Sequence, residues 1–181
     1  AITGSLMIRD NGQVFNRLIW MNADGNLSYY DKRHLFSMSD EPQHFTAGNS
    51  KLLVELKGWK ICPMVCYDLR FPVWIRNVES YDLLIFIANW PKRRSMHWEK
   101  LLQARAIENQ CYVLGINRVG NDGTEVYHDG RSAVINPLGE PICSAVDSSE
   151  ILHATMSKTE LTEIRQKMPF LKDSDSFELK S

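Results

Sequence analysis

Leu83–Ala88 reads Leu-Leu-Ile-Phe-Ile-Ala, an apolar run with no polar alternation. A half-exposed strand alternates, because successive side chains point to opposite faces. An unbroken run of this length predicts a strand covered on both faces. Cys111–Asn117 reads the same way, and Trp59–Cys66 is a third buried strand that stops at a thiol. Ser95–Gln110 has helical spacing, with Trp98, Leu101, Leu102, Arg105 and Ala106 toward the core. Ser95 is its predicted N-cap. Buried strands that alternate with helices predict a mixed-sheet α/β domain with the helices layered outside.

The flanking segments add antiparallel pieces. Ser5–Ile8 is a strand followed by an Asp10-Asn11-Gly12 turn. Val14–Asn22 and Leu27–Tyr30 form a hairpin around Ala23–Asn26, and Leu52–Leu56 pairs with Trp59–Cys66 around Lys57-Gly58. Asp31–Gly48 has no periodicity, and an ordered loop of that length is usually functional. Phe71–Glu79 is predicted as a helix with Pro72 in its first turn. Ser132–Asn136 is predicted to pair with Ile151–Met156, Lys158–Lys167 to be a helix, and Phe170–Ser181 to be a tail that packs on a partner.

Composition excludes several classes. With 181 residues and 44% apolar content the chain can build one domain with a sizeable core. A net charge of −1 gives no electrostatic grip on nucleic acid or an anionic membrane. Leu83–Ala88, the longest apolar run, is far too short to span a bilayer. The cluster Lys92-Arg93-Arg94 reads as a local anion site or a solvated loop. Cys62, Cys66, Cys111 and Cys143 have no zinc-ligand spacing, and no metal or other cofactor is called for. Cys62, Cys111 and Cys143 read as inert buried thiols. A reducing cytoplasm is the compartment they imply.

Cys66 sits where the apolar run gives way to Tyr67, Asp68 and Arg70. It is either a buried structural thiol or a nucleophile held out of the core beside exposed backbone N–H groups. A nucleophilic thiol, with a free pKa near roughly 8.5, needs a proton acceptor, oxyanion stabilisation and a means of positioning substrate. Lys32, among aromatic and acidic residues at a strand end, is a surface lysine or the cation for a thiolate or oxyanion. Glu41 is a solvated carboxylate, or it orients Lys32 or serves as a base. Arg70 is a substrate carboxylate clamp or the salt-bridge partner of Asp68. Asn89, Trp90 and Arg94 follow a strand end, where ligands meet open α/β sheets, and Arg94 could bind an anion.

Several segments together resemble the carbon–nitrogen hydrolase (nitrilase) superfamily: Tyr30-Asp31-Lys32-Arg33-His34-Leu35-Phe36, Glu41 with Gly48, Cys66-Tyr67-Asp68-Leu69-Arg70-Phe71-Pro72, the His97–Gln110 helix and Asn117-Arg118-Val119-Gly120. Within it, the DKRHLF and CYDLRFPVW segments and the loop from Asn89 to Trp98 look most like bacterial omega-amidases. The resemblance implies an αββα sandwich and a homo-oligomer, typically a dimer. It also implies hydrolysis of a small anionic amide, 2-oxoglutaramate or 2-oxosuccinamate, to the 2-oxo acid and ammonia. Cys66 would then attack the carbonyl, Lys32 and the Tyr67 N–H would meet the oxyanion, Glu41 would be the accessory glutamate, and Arg70 and Arg94 would anchor the distal carboxylate.

The pattern departs from the family at one point. The family's general-base glutamate lies upstream of the lysine motif, and none of the 31 residues before Lys32 is a glutamate. The sequence is therefore expected to lack an N-terminal portion with that base and at least one strand and helix, and to turn over amides poorly by itself. The competing readings are an N-carbamoyl-amine hydrolase or nitrilase on the same scaffold, and a non-catalytic fragment that acts by oligomerising.

Overall fold

The computed structural model describes residues 1–179; the last two residues of the expected tail, Lys180 and Ser181, lie outside them. Three antiparallel strands open the chain: β1 (Ile2–Asp10), β2 (Gln13–Met21) and β3 (Leu27–Asp31), paired in that order. The turn between β1 and β2 uses Asn11 and Gly12 at positive φ, as a tight hairpin demands. The Asp31–Gly48 loop is ordered and carries one helical turn, α1 (Glu41–His44).

The second sheet begins with β4 (Val54–Leu56) and β5 (Trp59–Val65), the expected hairpin with Lys57 and Gly58 at positive φ. It continues with β6 (Leu83–Ala88), helix α2 (Ser95–Asn109), β7 (Tyr112–Asn117), β8 (Val119–Asn121), β9 (Tyr127–Ile135) and β10 (Pro141–Val146). The strand order is β10-β9-β7-β6-β5-β4, with β8 pairing to β9; β5, β6 and β7 are parallel and the other pairs antiparallel. Helix α3 (Lys158–Lys167) follows.

The parallel strands are the three predicted from their unbroken apolar runs, and both of their faces are covered. On one side Met64, Leu84, Phe86 and Val113 pack with Trp98, Leu102 and Ala106 of α2, and with Leu18 and Tyr30 of the first sheet. On the other, Ile61, Leu83, Ile85 and Tyr112 pack with Trp20 and with Leu161 of α3. Gly115 lets α2 lie close to β7: an added Cβ would sit 2.4 Å from Leu102 Cδ1 and 2.8 Å from Trp98 Cζ2.

Four local expectations are corrected. Phe71–Glu79 is a series of turns, not a helix. The Asn77 side chain accepts from the Tyr81 N–H and donates to the Tyr81 and Asn109 carbonyls, an alternative to helical bonding. Ser95 is the first helical residue, not the cap; a 3-10 turn over Lys92–Arg94 feeds the helix, and Ser95 N–H donates to the Lys92 carbonyl. The partner of β9 is β10, because the tight turn with Gly139 at φ +87° brings the nearer segment back first; Ile151–Met156 forms no strand. Cys143, on the edge strand β10, is half-buried, whereas Cys62 and Cys111 are buried.

Asp82, at the entry to β6, holds α3 in place. It accepts from Lys158, from Arg165 Nη1 at 3.1 Å and from the Lys60 N–H at 2.9 Å. Breaking a buried ion pair by removing one partner costs about 3–5 kcal/mol. Lys158 is 45% exposed, so Asp82→Ala is expected to cost less, roughly 2–4 kcal/mol. Urea unfolding and hydrogen exchange in α3 would measure the loss; unchanged protection of α3 would refute the anchoring role. Among the described residues no helix is long and apolar enough to cross a membrane.

Candidate active site

Cys66 follows β5 directly, at the open end of the parallel strands. It starts a 3-10 turn, Cys66–Arg70, and has φ +46°, a strained conformation for a residue with a Cβ. A sharp turn of this kind lifts a nucleophile out of the strand. Asp68 stabilises it by accepting the Val65 N–H at 3.2 Å.

Lys32 follows β3. It is 3% exposed, and its ammonium donates to both Glu41 oxygens, at 2.8 and 2.7 Å. Glu41 also accepts the Phe36 N–H at 2.6 Å and the Asn16 amide at 3.3 Å. Both its oxygens are therefore occupied by donors, which favours orienting Lys32 over collecting a proton. Burial pushes the Cys66 thiol above the ordinary cysteine range; the Lys32 charge and the Asn89 N–H pull the other way, and Glu41 and Asp68 add to the rise.

Cys66, Lys32 and Glu41 share a cavity of about 370 Å³ with Tyr67, Arg70, Asn89, Trp90 and Arg94, so every site residue predicted from sequence lines one pocket. The Arg70 alternative is resolved: it does not pair with Asp68. Its guanidinium lies over the Trp90 ring at 4.7 Å and Nη2 donates to His97 Nδ1 at 3.1 Å. Arg94 lies over Phe36 at 5.1 Å. Burial, then the nearby Arg93 and Arg70 charges, make its cation less favourable than usual. Among the described residues no group of three or more His, Cys, Asp and Glu side chains could hold a metal.

Sequence reasoning left several contributors without a specific role. Arg93 lines the pocket as part of the basic cluster. His97 reads as a helix residue but touches Arg70. Asn117 grips the loop after β6: its Oδ1 accepts the Trp90 N–H at 2.7 Å, and its Nδ2 donates to the Trp90 and Gly130 carbonyls. This fixes the backbone next to the Asn89 N–H that faces the thiol. Its position at the end of β7 was the available signal.

Fold and pocket point to one class, and the chain belongs to the carbon–nitrogen hydrolase family, whose sequence model it matches over residues 1–166. It is an enzyme of the kind that hydrolyses amides. It is 49% identical to omega-amidase YafV of Escherichia coli strain K12, over 98% of this chain and 70% of that protein. It is 35% identical to 2-oxoglutaramate amidase of Bacillus subtilis, over 95% of this chain and 67% of that protein. The crystal structure of XC1258 from Xanthomonas campestris, a CN-hydrolase superfamily protein, superposes with a TM-score of 0.97 at 48% identity, over 98% of this chain and 70% of that one. This agrees with the expected nitrilase-like fold. These matches do not bear out the expected loss of an upstream segment.

Proposed function

We propose that this chain is an omega-amidase, which hydrolyses the terminal amide of a 2-oxo acid such as 2-oxoglutaramate or 2-oxosuccinamate to the 2-oxo acid and ammonia. The observation that carries this reading is the set of three arginines at the pocket, Arg70, Arg93 and Arg94. None of them has a carboxylate partner among the described residues. Clustered cations without counter-charges favour an anionic ligand, and arginine pairs well with carboxylates. The names of the relatives at 49% and 35% identity agree with this substrate class.

In this mechanism Cys66 Sγ attacks the amide carbonyl carbon. The oxyanion forms against the Lys32 ammonium and the Tyr67 N–H, placed where charge develops. The thiol proton ends on the departing nitrogen, the C–N bond breaks, and ammonia is released with a thioester left on Cys66, while Glu41 keeps Lys32 aimed at the oxyanion. Water then attacks the thioester, which frees the acid and restores the thiol. Arg70 and Arg94 hold the distal carboxylate, and Asn89 and Trp90 shape the wall between the two ends. The enzyme acts as one domain and needs no cofactor, and its four free cysteines suit a reducing cytoplasm. By family resemblance it assembles as a homodimer, with the described part of the tail, Phe170–Leu179, contributing to the contact.

Losing a charge-assisted hydrogen bond costs about 1.5–3 kcal/mol. Arg70→Ala and Arg94→Ala are therefore each expected to raise KM for 2-oxoglutaramate by roughly 10- to 100-fold, without raising it for a short neutral amide. Steady-state ammonia release checks this. Equal turnover of neutral and anionic amides, indifferent to both substitutions, would overturn the reading. Carbon dioxide plus amine, or acid from a nitrile, as the main products would favour the sister activities.

A further inference from the structure

Cys66 and Lys32 come from different sheets, and one buried carboxylate ties their two segments together. Asp68 is fully buried. Its Oδ2 accepts the Tyr30 hydroxyl at 2.8 Å and the Val65 N–H at 3.2 Å. Its Oδ1 accepts the His34 N–H at 3.0 Å and lies 2.8 Å from His34 Nδ1, which carries its proton toward a group that can only accept. Tyr30 and His34 stand two residues before and two residues after Lys32. Val65 and Asp68 itself bracket Cys66. The clamp is backed on its outer side: Trp74 Nε1 and the Arg33 N–H donate to the Tyr30 hydroxyl, and the His34 ring stacks on Phe71 at 3.6 Å. Burial and the Asp68 charge push the Tyr30 phenol well above its usual range, so it stays a neutral donor.

We propose that Asp68 is a positioning residue for the amide hydrolysis: it fixes the distance between the Cys66 thiol and the Lys32 ammonium by gripping both segments with one carboxylate. The proposal rests on Cys66 as nucleophile and Lys32 as its cation. Its physical basis is that preorganised charge acts only at the right separation, and a misplacement of about 1 Å can cost about 100-fold. Ordinary packing would hold these loops together; a shared acceptor with four donors holds them in register as well. The charged groups that bear on the thiol are Lys32, Glu41, Asp68 and Arg94.

Two variants test this in the full-length protein. Asp68→Asn keeps the volume but replaces two lone-pair positions with donors. Tyr30→Phe keeps the buried ring and every charge and removes one arm of the clamp. The readouts are kcat and KM on an amide the wild type hydrolyses, and the pH midpoint of Cys66 alkylation by iodoacetamide, followed by mass spectrometry. Both variants are expected to lose roughly 10- to 100-fold in kcat with KM within about twofold, and to show a higher alkylation midpoint as Lys32 moves away. The midpoint separates positioning from simple electrostatics, because removing the Asp68 charge alone would lower it. A kcat within twofold of wild type, a loss confined to KM, or a midpoint that stays put or falls would overturn the proposal. If Asp68→Asn does not fold, Tyr30→Phe decides. If the wild type hydrolyses no omega-amide, the proposed function fails by itself, and the alkylation midpoint still decides the role of Asp68.

Discussion

Cys66→Ala is expected to reduce ammonia release to background, at least about 10⁴-fold below wild type, because the acyl intermediate has no other atom to form on. The fold should survive. Alanine also carries a Cβ, so the strain at φ +46° is unchanged, and only one sulfur atom is lost from a pocket wall. The controls are the other thiols: Cys62 and Cys111 are buried, and burial pushes Cys62 up to about 12. Cys143→Ala, on the edge strand, should leave turnover intact. Trapping the acyl-enzyme by acid quench and mass spectrometry should place the added mass on Cys66. Residual turnover within about tenfold of wild type would move the nucleophile elsewhere. The raised thiol pKa fixes the sign of the pH effect. At neutral pH Cys66 in the free enzyme is mostly protonated, so alkylation should keep rising above the pH of roughly 8.5 at which a free cysteine is half-ionised.

Glu41→Ala is expected to damage stability and activity together. Lys32 is 3% exposed and its ammonium has both Glu41 oxygens as acceptors. Deleting the carboxylate leaves a buried, uncompensated cation, and the Phe36 N–H and the Asn16 amide lose their acceptor. Breaking such a pair costs about 3–5 kcal/mol. In a domain of this size that lowers Tm by roughly 6–20 °C. Activity should fall by roughly 10²- to 10³-fold, the scale of losing one well-placed oxyanion donor, because Lys32 no longer points at the developing charge. Calorimetry and kcat/KM measure the two effects. A variant with wild-type Tm and wild-type kcat/KM would mean that the ion pair is ornamental. Lys32→Met is the informative partner, since it removes charge and desolvation cost together: it should lose activity while losing less stability than Glu41→Ala.

Sequence by itself determined the three buried parallel strands, the two hairpins, the α2 core face and the thiol at the end of β5. These are local properties: an unbroken apolar run or a turn signal means the same wherever the segment lies. Lys32 and Glu41 were marked by the family resemblance, since their local sequence fits a surface lysine and a solvated carboxylate just as well. Only the tertiary structure decided which groups meet. Arg70 faces Trp90 and His97 rather than Asp68, two residues away in sequence, because the 3-10 turn sends their side chains in different directions. Asp68 finds Tyr30 and His34, which lie 38 and 34 positions earlier. Asn117 clamps Trp90, and β9 takes β10 over the segment after it. The physical reason is common to all four. Hydrogen bonds and ion pairs act over a few ångströms in space, and a buried polar group is paired by whichever partner the packed strands bring within reach.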